Sequence, residues 1–440
     1  MAGPISRRSL IKASVAIGGA AALAACTNTG TAPTGGTGGG GPARLRFMTN
    51  HSTAEEALFR QAIEGFKSVS PDVTIDYLNI GDLASYQTKM KTLAAANDLP
   101  DVFYTRTAEV PSQAKLGWNL DLTEYANANA DVNDIWPAQV GQMSYEGKLY
   151  GLPYDFSNQG IYYNKTMFEA EGIPLPTDEL TWEELFAIAA AFKKLEGGSQ
   201  TRWGIALRWD DWLWRGIFKA FGGGLLTEDQ TASTANSAEN IEAMRLFMKQ
   251  IDDGVAPLLS ALPTGVDPFA AGLVALQVNG SWATQSRRDN IGDAFEWDVV
   301  KLPKGPAGTR SISPNGGSWG VAAATAAPDA AQAFCAYLAA PEQQMMFIAE
   351  PMRGLPGRPS VAAKWEEIVK SAKVPPANIG VFPAQMQDDA IADTYPTFWQ
   401  DVIASWTSRV GSSTGTVLTG SADVEAALQG LHDDIARAIF

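Results

Sequence analysis

The sequence predicts an α/β protein with enough chain for two cores. Its 440 residues exceed what one ordinary core accommodates. Strand-like segments alternate with helical segments of about 10–15 residues, which implies mainly parallel sheets with helices on both faces. A composition of 45% hydrophobic and 18% charged residues is that of a folded globular chain.

The first strand is Arg44-Leu45-Arg46-Phe47-Met48, which alternates and stops at Thr49-Asn50-His51. Ser52 or Thr53 caps a helix whose Ala57, Phe59, Ile63 and Phe66 recur at helical spacing until Pro71 breaks it. A second strand covers residues 73–78, a helix 86–96, and a third strand Pro100-Asp101-Val102-Phe103-Tyr104. Ligands in such sheets sit beyond the carboxyl ends of the strands, so Asn50-His51, Gly81-Asp82 and Thr105-Arg106 are expected around one mouth. A second αβ region begins near Leu149 and includes a helix with a capping box, Thr181 and Glu184. The Gly/Pro-rich residues 302–319 and the Pro-rich residues 374–383 read as loops. No internal repeat is found.

Residues 1–26 read as an export address. Arg7-Arg8 sits in a twin-arginine pattern, an Ala/Gly-rich apolar stretch follows, and Leu23-Ala24-Ala25-Cys26 has the form of a bacterial lipobox. Lipid on Cys26 would anchor the chain to the cell membrane without a spanning helix. Residues 27–42, rich in Gly and Thr, form a flexible tether that suits a shuttling binding protein and a surface enzyme equally. Formal charge is −15, and removal of Arg7, Arg8 and Lys12 with the leader takes it to about −18. That balance argues against nucleic acid and, more weakly, against polyanionic solutes. Two cysteines, Cys26 and Cys335, and two histidines, His51 and His432, leave no His/Cys metal pattern. Cys335, in an Ala-rich stretch, reads as a small buried hydrophobe.

Four segments, in order, carry a resemblance. They are Leu99 to Tyr104 with Gly117-Trp118-Asn119-Leu120-Asp121-Leu122; Tyr145 to Asp155 with Ile161-Tyr162-Tyr163-Asn164-Lys165 and Thr181-Trp182-Glu183-Glu184-Leu185; Phe269 to Trp282; and Ala330 to Gly354. Together they resemble the family-1 extracellular solute-binding proteins of ABC importers, the class that contains the maltose-binding protein. The resemblance implies a two-lobed periplasmic-binding-protein fold (type II-like), with hinge crossovers and a ligand cleft between lobes. It places residues 43–154 plus 283–317 in lobe 1 and 155–282 plus 318–440 in lobe 2. Crossings are expected near residues 153–157, 280–282 and 314–319, with Gly280, Gly316 and Gly317 as hinge positions. The implied function is to deliver a carbohydrate to permease subunits, as a monomer, without cofactor or metal. The maltose-binding pattern is not reproduced at residues 105–109, so no sugar identity carries over.

A sugar needs aromatic platforms for its C–H faces and planar donors and acceptors for its hydroxyls. Thirteen Trp are available. Trp209, Asp210 and Trp212 follow the strand 203–207, where Trp212 and Trp214 could equally face a core. Asn279 and Trp282 end the stretch that resembles the family's second crossover; Gly317 and Trp319 share a Gly-rich turn, and Trp399 belongs to a late aromatic pair. Tyr154 and Asp155 lie in the hinge signature, and Arg353 in a late loop. Asn50, His51, Asp82 and Arg106 complete the candidate ligand set. A glycosidase would need two carboxylates flanking one bond. Asp210-Asp211 and Asp388-Asp389 are adjacent acids whose side chains usually diverge, and no nucleophile elbow, Walker loop or dinucleotide fingerprint is present. The rival is a binding protein for another solute, such as a sugar phosphate or glycerol phosphodiester. It would require Arg106, Arg208 and Arg353 to converge.

Overall fold

The computed structural model describes residues 42–263, 265–391 and 394–440. The export signal, Cys26 and, but for Pro42, the tether lie outside the described residues. Two five-stranded sheets organise the rest, each with its own core. Strand β1 (Ala43–Thr49) feeds helix α1 (Thr53–Val69), and β2 (Val73–Asn79) feeds α2 (Leu83–Ala95). Strand β3 (Val102–Arg106) leads into the short α3 (Val110–Lys115), and β4 (Leu152–Ser157) passes through Asn158 into β5 (Gln159–Asn164). After helix α4 (Trp182–Ala190) come β6 (Lys194–Glu196), β7 (Ser199–Ala206) and α5 (Asp211–Ala220). Next are β8 (Val274–Gly280), α6 (Thr284–Ile291), β9 (Trp297–Lys301) and β10 (Asn315–Val321). Helices α7 (Pro328–Leu338) and α8 (Trp399–Arg409) pack on the first and second core respectively.

Local chemistry explains these elements. Helix α1 buries Phe59, Ala62, Ile63 and Phe66, one face at helical spacing, and Ser52 with Glu55 closes its amino end as a capping box. Thr181 and Glu184 do the same for α4. The first core holds Phe47, Val102, Leu152, Trp319 and Phe334; the second holds Tyr162, Ile205, Leu276, Trp365 and Trp406. Cys335 is fully buried in the first.

The sheet orders are β2-β1-β3-β10-β4 and β9-β5-β8-β7-β6. Both are mixed, which corrects the expectation of mainly parallel sheets. Strands β1, β2 and β3 are mutually parallel, whereas β10 runs antiparallel to both its neighbours; in the other sheet β5 is antiparallel to β8 and β9. The cause is connectivity. A chain that leaves one sheet at a strand's carboxyl end enters the next sheet from that same side, so the entering strand points the other way.

The expected lobe boundaries need correcting too. Strand β9, placed by sequence in lobe 1, hydrogen-bonds to β5 in the second sheet. All of β10 belongs to the first sheet, and α7 packs on the first core rather than with residues 318–440 as a block. The chain therefore does not recross at residues 280–282. It returns between β9 and β10 and leaves again around residues 349–358, where Phe156 N donates to Leu355 O (3.0 Å). Part of the 302–319 stretch read as loop is strand β10, and a helix over residues 381–388 takes in the last residues of the other, 381–383. Gly316 and Gly317 serve close packing. A Cβ at Gly316 would strike the Asp155 carbonyl, and one at Gly317 the Tyr104 ring.

Candidate functional site

The carboxyl ends of β1, β3 and β4 face those of β7 and β8, and the side chains between them form two layers of chemistry. On the first side, the Asp155 carboxylate is half-buried and its Oδ1 accepts from Gly317 N at 2.7 Å. Burial pushes Asp155 up to about 6, opposed by that backbone bond. Arg106 stands at the end of β3 and makes no ion pair or side-chain hydrogen bond among the described residues. Burial works against its charge, but Glu109 beside it and Asp211 from the opposite core hold the guanidinium charged, with its pKa raised.

On the second side, Asp211 opens α5, and its Oδ2 accepts from Trp399 Nε1 at 3.2 Å. Burial lifts it to about 6, and Arg106 opposes the shift. Arg208 donates to Asp210 Oδ2 at 2.8 Å and to Asn279 Oδ1 at 3.4 Å, and its guanidinium lies 5.7 Å from the Trp282 ring centre. Trp282 keeps 36% of its surface exposed and is braced edge-on by Trp212 at 5.3 Å. Beside it, Arg353 pairs with Glu55 at 2.5 Å, and Tyr154 Oη reaches the same carboxylate at 3.4 Å. A cavity of about 720 Å³ is lined by Glu55, Tyr154, Asp155, Trp282, Arg353 and their neighbours, within the size range of small-molecule sites.

The structure thus gathers Arg106, Tyr154, Asp155, Asp210, Trp212, Asn279, Trp282 and Arg353 of the sequence-based set, with Trp399 behind Asp211. Asn50 lies half-buried, its Oδ1 enclosed without a partner. Five other candidates sit differently. Trp209 is 2% exposed, stacked on Trp214 at 5.2 Å inside the second core. Trp319 is fully buried among Phe47, Phe59, Tyr104 and Tyr154. Trp319 points into its core because successive residues of strand β10 alternate faces, whereas Trp209 is turned inward by the connection between β7 and α5. His51 packs against Phe59, Tyr104 and Tyr154, and burial lowers its pKa to about 4, leaving a neutral ring in an aromatic cluster. Asp82 is exposed and caps α2 through Ser85 N (2.9 Å). Gly317 spends its amide on Asp155.

Sequence reasoning missed Glu55, Tyr104, Asp211 and Tyr395. Glu55 reads as a capping-box acid and nothing more, which it also is. Asp211 was hidden by Asp210, since nothing in the sequence says which of two adjacent acids turns inward. Tyr395 is buried against Trp399 at 4.9 Å, with the Arg215 guanidinium 4.5 Å from its ring centre.

Comparison with known proteins fits this geometry. Residues 61–376 match the family described as bacterial extracellular solute-binding protein. The chain is 25% identical over 284 residues to the lactose-binding protein of Rhizobium radiobacter, covering 62% of this chain and 65% of that protein, just under two thirds of its length. An ABC substrate-binding protein from Listeria monocytogenes, solved in complex with cycloalternan, superposes with a TM-score of 0.74 at 22% identity, covering 90% of this chain and 98% of that one. A Mycobacterium tuberculosis protein in complex with glycerophosphocholine superposes with a TM-score of 0.73 at 19% identity, covering 91% and 98%. These likenesses show the two-lobed fold, and relatives of this kind are binding proteins rather than enzymes. With most of its length matched by the family profile, the chain belongs to the bacterial extracellular solute-binding proteins.

Proposed function

We propose that the protein is the substrate-binding component of an ABC importer, holding a neutral sugar or oligosaccharide between its lobes and passing it to permease subunits. Trp282 carries this reading. Its half-open indole face is braced by Trp212 and ringed by Asn279, the Arg208–Asp210 pair and the Asp155 carboxylate, the mixture a sugar's C–H face and hydroxyl rim demand. The lactose-binding relative and the cycloalternan complex support the same solute class.

A phosphorylated solute is the second reading, favoured by the likeness to the glycerophosphocholine complex. Charge speaks against it. Arg208 is matched by Asp210 and Arg353 by Glu55, and Arg106, which makes no ion pair among the described residues, sits in the field of both Glu109 and Asp211, so the acids around these arginines already balance their charge. Thermal-shift measurements with a panel of neutral sugars and glycerol phosphodiesters test the choice: stabilisation by a sugar is expected, and stabilisation by the phosphodiesters alone would refute it.

Three further parts of the proposal rest on sequence. The twin-arginine leader directs export, lipid on Cys26 anchors the mature chain to the membrane, and the protein works as a monomer that performs no chemistry on its ligand.

A further inference from the structure

Arg353 is the one cation among the described residues that line the Trp282 cavity, where Glu55, Asp155 and Asp289 supply three carboxylates. Its place is built by the backbone. A single wide helical turn over Met345–Ala349 ends in a loop whose Met352 sits at φ 54°, a left-handed conformation that residues other than glycine seldom adopt. Arg353 N then donates to Ile348 O at 3.0 Å. Gly354, the next residue, lies so close that a Cβ there would stand 3.9 Å from Trp282 Cα. The guanidinium is thereby fixed in the wall it shares with the indole.

Glu55 divides its two oxygens between separate tasks. Oε2 accepts from Ser52 N at 2.8 Å and from Ser52 Oγ at 2.7 Å, which closes helix α1. Oε1 meets Arg353 at 2.5 Å and Tyr154 Oη at 3.4 Å. Both members of the ion pair are largely buried, 25% exposed for Arg353 and 15% for Glu55, so each relies on the other to balance its charge. A carboxylate so occupied has little left for a sugar hydroxyl; what it brings to the cavity is negative charge set against Arg353. An anionic solute entering here has to displace Glu55 from the guanidinium while facing Asp155 as well. We propose that Glu55 is a specificity-determining residue that acts through Arg353. It keeps the guanidinium neutralised, so that the cavity admits neutral sugars and rejects uronates and phosphorylated sugars of the same shape. The inference rests on the neutral-sugar reading given above and names the residue that enforces it.

Titration calorimetry of the full protein tests it with neutral sugars and their acid counterparts: glucose and glucuronate, galactose and galacturonate, maltose and maltobionate, lactose and lactobionate. The variants are Glu55→Gln, Glu55→Gln combined with Arg353→Gln, and Asp289→Asn. Gln serves a capping box as Glu does, so Glu55→Gln removes the charge and keeps the start of α1. The wild type is expected to bind the acid at least about a hundredfold more weakly than the neutral sugar of the same pair. Glu55→Gln should raise the acid-to-neutral affinity ratio at least about tenfold by tightening the acid, a change that loss of stability does not produce. Adding Arg353→Gln should take that gain away. Asp289 is exposed and tied to Gln285 rather than to an arginine, so Asp289→Asn removes an equal but water-screened charge and should move the ratio by no more than about threefold. Equal binding of acid and neutral sugar by the wild type, or an unchanged ratio in Glu55→Gln, overturns the filter alone. So does a gain that survives the loss of Arg353 or appears equally in Asp289→Asn. A wild type that binds none of the neutral sugars overturns the neutral-sugar reading with it.

Discussion

Trp282 combines three properties that no other indole among the described residues combines: a partly exposed ring, a bracing ring and a guanidinium over it. Replacing it with Ala removes about 1 kcal/mol of stacking, so sugar affinity measured by calorimetry should fall about five- to tenfold. Because the ring is partly exposed, unfolding stability should change little. His51 makes the opposite case, a titratable group whose value lies in packing. Its folded pKa, about 4, is below the unfolded 6.5, so between those pH values the unfolded chain binds more protons and stability rises with pH. The His51 contribution is complete above about pH 6.5 and lost as pH falls toward 4, worth roughly 3 kcal/mol. Asp155 and Asp211, raised to about 6 by burial, act with the reverse sign, being most favourable at low pH and losing that as pH climbs to 6. Urea unfolding of the wild type and His51→Leu between pH 4.5 and 7.5 separates them. The variant should lose the His51 component, so the difference between the two proteins narrows on acidification.

At the scale of elements, strand β10 governs how closely the two halves of the first sheet approach the cleft. Its Gly316 and Gly317 lie in ordinary strand geometry, and only their missing side chains let Asp155 and Tyr104 come against the backbone. Gly316→Ala should therefore destabilise by about 1–3 kcal/mol in chemical denaturation, through overpacking rather than backbone strain. The same strand shows what a sequence reveals and what it hides. Strands β1, β2 and β3 announce themselves by alternation and by the helix signals between them, and Arg106 at a strand end points to the mouth. Strand β10 is Gly-rich because it is crowded, and Gly-rich sequence reads as loop. Trp209 and Trp212, three residues apart, look alike in sequence; their faces are decided by the turn into α5, so one entered the core and the other braced Trp282. The first crossing, expected near residues 153–157, falls slightly later, at Asn158 between β4 and β5. Which sheet β9 and β10 join is set by pairings well over a hundred residues apart, which no local pattern encodes.

For the whole molecule, carboxylates outnumber cations, Arg208 and Arg353 are each paired with an acid and Arg106 sits in the field of Glu109 and Asp211, so selectivity is expected to come from hydroxyl geometry rather than ligand charge. Attachment of the chain is testable separately. Cys26→Ala should abolish palmitate labelling and move the protein from the membrane fraction to the soluble one, with ligand binding unchanged. The account stands or falls on where a sugar sits. A crystal structure with the sugar that stabilises the protein most is expected to show a pyranose face on Trp282, with hydroxyls meeting Arg106, Asp155 or Asp211. A ligand bound outside the space between the two cores, or one held by arginines without touching Trp282, would contradict it.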